Sequence, residues 1–123
     1  MEKGDLKDRT KQFALRIIKM SEALPNTRSA IVICKQILRS GTSVGANYRA
    51  ALRSKSDADF LYKISIVTEE ADESLFWLEL IEESGVLPSE KIKDLKKEAD
   101  ELTAIFTTTA RKTKEKIENN KKK

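Results

Sequence analysis

The sequence predicts an all-α protein, an antiparallel up-and-down four-helix bundle. Three observations lead to this prediction. Ala, Leu, Ile, Lys, Arg and Glu dominate the 123 residues, and only four Gly and two Pro interrupt them, so local preferences favour long helices. Apolar residues recur every three or four positions in four successive segments. A chain of this length builds one hydrophobic core, so we expect a single domain.

The first two helices are predicted over residues 5–24 and 27–53, separated by Pro25. Thr27 or Asn26 supplies the oxygen that caps the second helix. The apolar stripe of the first helix consists of Leu6, Phe13, Ile17 and Leu24. That of the second consists of Ile31, Cys34, Leu38, Gly41, Val44, Tyr48 and Leu52.

The third and fourth helices are predicted over residues 56–84 and 89–116, with Gly85 ending the third and Ser89 capping the fourth. Alternating steps of three and four residues, typical of a bundle seam, define the third stripe: Phe60, Ile64, Val67, Ala71, Ser74, Leu78 and Ile81. The fourth stripe consists of Ile92, Leu95, Ala99, Leu102, Phe106 and Thr109.

Charge divides the chain into segments of opposite sign. Residues 1–55 carry 12 basic and 4 acidic side chains, whereas residues 56–110 carry 5 and 14. This polarity suggests electrostatic matching between helices or subunits, or a basic surface for a polyanion. The bundle domain is predicted to end at residue 116. Residues 117–123 are predicted to form a disordered basic tail, because the ending ENNKKK has no apolar side chain to bury.

The residue types argue against an enzyme and against a bound cofactor or metal. With no histidine, mechanisms that use an imidazole base are excluded, and so are the common zinc sites, which the lone Cys34 does not supply either. The segment SGTSVG, residues 40–45, lacks the Gly-Lys-Ser/Thr ending of a phosphate loop. The carboxylates Glu69, Asp72, Glu73 and Glu83 lie away from the apolar stripe, so we expect them on a solvated or partner-facing surface.

The sequence also predicts a location. The first residues, MEKGDLKDRTKQ, are charged where a signal peptide would be apolar. No stretch approaches the roughly 18 apolar residues needed to span a bilayer. A single cysteine, which cannot form an internal disulfide, fits a reducing cytosol. We expect a soluble, cytoplasmic protein with no membrane partner.

The main candidate site is a group of cations on the second helix, which we call the basic stripe. At 100° per residue its members fall within an arc of roughly 80°: Arg28, Lys35, Arg39, Arg49 and Arg53. Two interpretations stay open. The stripe binds phosphates of a nucleic acid, or it pairs with the acidic face of the third helix in the same or a neighbouring subunit. Lys121, Lys122 and Lys123 add nonspecific attraction to nucleic acid or keep the protein soluble.

A second set of residues is predicted to serve packing or assembly: Gly41, Gly45, Asn47, Tyr48, Glu70, Glu73 and Trp77. Gly41 and Gly45 each cost about 0.5–1 kcal/mol in a helix interior, so a close approach of a neighbouring backbone must compensate. Asn47 is expected to hydrogen-bond across an interhelical or intersubunit seam. Trp77 and Tyr62 have the rings needed to stack on bases, but amphipathic helices favour packing for both.

Four segments carry a family resemblance: RSGTSVGANYRAALRSKS (39–56), DF (59–60), EEADES (69–74) and WLELIEESG (77–85). As a set they resemble the bacterial four-helix-bundle family first noticed as proteins encoded in intervening sequences of 23S ribosomal RNA genes. The resemblance implies assembly into a homopentameric ring. That family is also similar to the accessory variability determinant protein of diversity-generating retroelements, which binds nucleic acid and a reverse transcriptase.

We therefore expect a non-enzymatic, homo-oligomeric accessory protein that binds RNA or DNA through the basic stripe and the terminal lysines. A head-to-tail ring joins two different surfaces, and the basic and acidic halves of the chain suit such a contact. The alternative is a protein-interaction scaffold, a ring that docks a protein such as a reverse transcriptase and binds no nucleic acid. Lack of polynucleotide binding at low salt would favour the scaffold.

Overall fold

The computed structural model describes residues 3–122, which form four α-helices and no strand. The all-α prediction is therefore confirmed. A short 3₁₀ turn, Ser89–Lys91, precedes the last helix. The helices are α1 (Lys3–Ser21), α2 (Arg28–Ala51), α3 (Asp57–Glu83) and α4 (Lys93–Lys121). None of the helices in this part of the chain is long and apolar enough to cross a membrane.

Capping side chains explain where α2 and α3 begin. The hydroxyl of Thr27 accepts a hydrogen bond of 3.3 Å from the amide of Ala30, and that of Ser56 accepts one of 3.1 Å from the amide of Asp59. Each bond satisfies an amide that the first turn of a helix leaves free. After α3, Gly85 adopts a φ of 76°, a conformation that favours glycine.

Two helix ends fall before the predicted residues. α1 ends at Ser21 rather than residue 24, because the amides of residues 22–24 bond to carbonyls three residues back and tighten the chain into a turn. α2 ends at Ala51, so Arg53 lies in the turn after it, where its amide donates to the Ala50 carbonyl at 3.1 Å.

The two ends of α4 also differ from the prediction. Ser89 does not cap it; Ser89 opens the 3₁₀ turn, and Ile92 precedes α4 without a side-chain bond. Residues 117–121 are helical, whereas the sequence analysis expected disorder there. No Gly or Pro interrupts the chain after Pro88, and a lysine in the last turn complements the helix dipole. Ile117 is also half-buried, so an apolar residue of this segment takes part in packing.

Consecutive helices run in opposite directions. A Cβ added at Gly41 would meet the side chain of Ile17 at 2.9 Å, and one added at Gly45 would meet the carbonyl oxygen of Thr10 at 3.3 Å. Residue numbers thus rise along α2 as they fall along α1. The neighbouring backbone comes close at Gly45, whereas Gly41 lies against the side chain of Ile17, and both contacts are made by α1 of the same chain.

α3 and α4 also run in opposite directions, because ion pairs link the end of each helix to the start of the other. Lys96 lies 2.6 Å from Glu82, and Lys116 lies 3.5 Å from Asp57. One core fills the space between the helices. Its largest fully buried side chains include Phe13, Phe106, Ile17, Ile37, Ile64, Leu78, Ile81, Ile92 and Leu102. Each contributes about 1.5–3 kcal/mol through burial.

Candidate nucleic-acid interface

Arg39 is the one member of the basic stripe for which the described chain shows an ion pair. Its guanidinium donates to Glu70 at 3.1 Å and also bonds Glu73, both on α3. The indole Nε1 of Trp77 donates to the same Glu73 oxygen at 3.1 Å. These contacts place Glu70, Glu73 and Trp77 in packing between α2 and α3 within one chain. Within this chain Arg39 is therefore paired with the acidic face of α3.

The other four members of the stripe point to solvent. Their side chains are exposed, and within residues 3–122 none of them makes an ion pair. They are Arg28, Lys35, Arg49 and Arg53. α2 itself contains no Asp or Glu, so its own side chains supply no opposite charge. Uncompensated cations on one face create the positive potential that attracts a polyanion.

Two edges of the stripe face different neighbours. Arg39 lies at the edge beside α3, whereas Arg49 lies at the edge beside α1 and lines a cleft of about 440 Å³ between α1 and α2. We call this the α1–α2 cleft. Its lining residues are Lys7, Lys11 and Ala14 of α1 together with Thr42, Gly45, Ala46 and Arg49 of α2. The lining contains three cations and no carboxylate.

Lys7 and Lys11 were not predicted as binding residues from the sequence. Both are exposed, and their spacing of four residues puts them on one side of α1. That spacing was visible in the sequence. The sequence did not show which helix lies beside these two lysines. In the structure it is α2, because Gly45 packs against Thr10.

On the side of α1 that faces α4, the charge of Arg9 is paired with carboxylates of α4. Arg9 donates two hydrogen bonds of 2.7 Å to Glu98 and one of 2.9 Å to Glu101. The hydrogen bond from Arg9 holds the pKa of Glu98 below its ordinary value, although burial of the carboxyl opposes the change. The hydrogen bond to Glu98 in turn raises the pKa of Arg9. Arg9, which faces α4, and Arg39, which faces α3, thus have ion-pair partners. The cations around the α1–α2 cleft have none in the described ion pairs.

Two further residues of the packing set serve the interior of the chain. The side-chain amide of Asn47 donates to the carbonyl of Ser43 at 2.9 Å, within its own helix. A bond from Asn47 across an intersubunit seam stays a prediction. Tyr48 is buried, with its ring centroid 5.3 Å from that of Phe106. Burial raises the pKa of the Tyr48 phenol.

The two aromatic residues weighed as base-stacking candidates have different surroundings. Trp77 is half-buried and packs against the core, as predicted. Tyr62 is 67% exposed, so packing inside the chain does not account for it. Several other large apolar side chains are exposed on α1, α2 and α3 as well: Leu15, Ile18, Ile31, Val32, Phe76 and Leu80.

The terminal lysines lie at the end of α4. Lys121 is the last helical residue and Lys122 follows it, and both are exposed. Lys123 lies outside the described residues. In the part of the chain that the structure describes, no three His, Cys, Asp or Glu side chains are grouped as metal ligands would be.

Comparisons with known proteins give a family and a structural relative. The sequence model of the family described as 23S rRNA-intervening sequence protein matches residues 2–108. The chain is also similar to the crystal structure of a protein with unknown function from the S23 ribosomal protein family of Bacteroides thetaiotaomicron. The TM-score is 0.82 at 35% sequence identity, covering 90% of this chain and 99% of that one. No curated protein matches the chain.

Proposed function

The chain belongs to the 23S rRNA-intervening sequence protein family, and from this premise we propose that it is a non-enzymatic, homo-oligomeric accessory protein that binds RNA or DNA through basic patches. The observation that carries the proposal is the exposed, unpaired state of Arg28, Lys35, Arg49 and Arg53 within the described residues. Lysine and arginine bind nucleic acid by neutralising phosphates and releasing counterions, and exposure without a carboxylate partner keeps these four available for that role.

Charge balance supports local patches rather than a uniformly basic surface. Residues 56–110 carry 14 acidic side chains against 5 basic ones, so α3 and much of α4 repel a polyanion. Binding would therefore take place on the face formed by α1 and α2, assisted by the terminal lysines. Such binding is salt-sensitive and weakly sequence-selective, because phosphate contacts carry no base information.

A homopentameric ring is the assembly we propose, on the basis of the family resemblance. Exposed apolar residues on three helices support self-association, because a second copy would remove their large side chains from water. The opposite charges of the α1–α2 and α3–α4 faces suit a head-to-tail contact between neighbouring subunits.

The same exposed apolar residues favour a second candidate function, a scaffold ring that docks another protein, such as a reverse transcriptase, and binds no nucleic acid. Tyr62 and Phe76 on α3 are large and exposed, and aromatic residues are enriched at protein interfaces. The two functions differ in whether the purified protein binds a polynucleotide at low salt.

The experiment that separates them is fluorescence anisotropy of a labelled, short structured RNA titrated with the protein at about 50 mM and about 200 mM salt. The proposed function predicts binding that weakens steeply as salt rises. Arg49→Glu with Arg53→Glu abolishes binding, while helicity and oligomer size persist. Lys93→Glu with Lys97→Glu is the matched control, because both lysines are exposed on α4, four residues apart. Loss of the oligomer in the Arg49 and Arg53 variant would assign those residues to assembly.

A further inference from the structure

We infer that the α1–α2 cleft binds the phosphodiester backbone of the nucleic acid, with Lys7, Lys11 and Arg49 as the three cations that contact phosphates. This inference rests on the proposed function and names the place of contact. It differs from the basic stripe because two of its three cations come from another helix.

Charge is distributed unevenly over the sides of α1 and α2. On α1, Arg9 pairs with Glu98 and Glu101 of α4. On α2, Arg39 pairs with Glu70 and Glu73 of α3. The seam that α1 and α2 share receives no carboxylate from either helix in its lining. Positive potential is therefore concentrated in this cleft.

Small residues give the cleft its shape. Gly45 allows the backbone of α1 to lie against α2, with the Thr10 carbonyl oxygen 3.3 Å from where a Cβ would stand. Ala14 and Ala46 add only methyl groups to the lining. Long cationic side chains on both sides of such a lining leave room for a phosphate group between them.

The hydrogen-bond donors around the cleft indicate the kind of ligand. The amides around Gly45 and Ala14 belong to helix interiors, so they are used within the helices and form no amide cradle for a nucleotide. The hydroxyl of Thr42 donates to the Leu38 carbonyl at 2.6 Å. Recognition in the cleft thus relies on the charge of flexible side chains. This chemistry suits the phosphates of a nucleic-acid strand that passes through the cleft. It suits a single small anion, which many hydrogen bonds would have to hold, less well.

The test uses the full-length protein and a labelled single-stranded RNA in salt titrations by fluorescence anisotropy. Lys7→Gln with Lys11→Gln removes two phosphate contacts, so we expect about tenfold weaker binding at low salt and a salt-dependence slope reduced by about 1.4. Lys93→Gln with Lys97→Gln is the control with the same loss of charge, and we expect its slope to stay unchanged. Light scattering checks that oligomer size is the same in all variants.

A neutral substitution tests the location independently of charge. Ala46→Phe fills the cleft without changing the net charge, whereas Ala50→Phe adds the same ring to an exposed α2 position outside the lining. We expect Ala46→Phe to weaken RNA binding several-fold and Ala50→Phe to leave it unchanged.

The outcomes separate this inference from the proposed function. If the native protein binds RNA and the lysine variant and Ala46→Phe bind equally well, the cleft is not the site and the proposed function stands. If the lysine variant changes oligomer size instead of RNA affinity, the cleft is an assembly contact. If the native protein binds no RNA at low salt, both proposals are wrong.

Discussion

The guanidinium of Arg9 donates two hydrogen bonds of 2.7 Å to the carboxylate of Glu98 and so joins the first helix to the last. The Glu98 side chain is only 14% exposed, and burial limits the screening of this pair by solvent. Planar, two-point contacts of this kind are the strongest ion pairs that arginine makes. The pair closes the bundle on the side away from the α1–α2 cleft.

We predict that Glu98→Gln lowers the free energy of unfolding by about 1–2 kcal/mol at neutral pH, because it removes the charge that Arg9 contacts. Glu115→Gln is the control, since the Arg111–Glu115 pair is exposed and should contribute about 0.5 kcal/mol or less. Urea denaturation at fixed protein concentration measures both. Equal effects of the two substitutions would contradict the role assigned to the Arg9–Glu98 pair.

The same pair predicts a pH dependence. The folded-state pKa of Glu98 is lowered, so the stabilisation is fully present above the unfolded value of about 4.3 and is lost as pH falls through the folded pKa. We expect the native protein to lose stability over this acidic range and Glu98→Gln to lose less. Denaturation curves from about pH 7 down to about pH 3 measure the difference. Parallel curves for the two proteins would contradict the prediction.

Gly41 and Gly45 predict different responses to alanine. A methyl at Gly41 meets the fully buried Ile17 side chain at 2.9 Å, so Gly41→Ala should destabilise by about 1–2 kcal/mol despite the better helix propensity of alanine. Gly45→Ala makes its nearest contact at 3.3 Å and should change stability by less than about 1 kcal/mol. Thermal and urea unfolding compare them. Ala50→Gly, at an exposed position, calibrates helix propensity alone. A stabilised Gly41→Ala would contradict the packing described here.

Thr27 caps a helix in the structure, whereas Ser89 was predicted to cap one and does not, so alanine substitutions at the two residues should have different effects. Thr27→Ala removes an observed capping bond and should cost about 1 kcal/mol. Ser89→Ala should change stability by less than about 0.5 kcal/mol, because no capping bond is observed for the turn that Ser89 opens. Unfolding in urea measures both. A larger loss for Ser89→Ala than for Thr27→Ala would restore Ser89 as the cap of the last helix.

Within the basic stripe, we expect Arg39 and Arg49 to behave differently toward RNA. Arg39→Gln removes a cation already paired with Glu70 and Glu73, so RNA affinity should change by less than about threefold. Arg49→Gln removes an unpaired cation and should lower the salt-dependence slope by about 0.7 for a single strand. Anisotropy titrations measure both slopes. A larger loss of RNA affinity for Arg39→Gln than for Arg49→Gln would contradict the distinction between a paired and an unpaired cation in the basic stripe.

Local features of the sequence predicted the helices, the Thr27 cap and the close approach at Gly41 and Gly45, because each depends on neighbours along the chain or on a cost that packing must offset. The division of the stripe was not predictable in the same way. Arg39 and Arg49 lie on the same arc of α2, and only the placement of α3 beside one and α1 beside the other distinguishes them.

Lys7 and Lys11 were missed for the same reason. On α1 alone they are two exposed lysines, and their relation to Arg49 depends on which helix lies beside them. The end of α4 was missed because the prediction required apolar residues for order. Helical preference, together with the half-buried Ile117, extends the helix to Lys121.

The measurement that tests nucleic-acid binding by an assembled ring most directly is light scattering after size exclusion, with and without a short structured RNA, at low and then physiological salt. We predict a particle of five 13.9 kDa chains that gains mass with RNA and releases it as salt rises. A pentamer whose mass RNA does not change would contradict the nucleic-acid role and favour the protein scaffold. A monomer would contradict the ring as well.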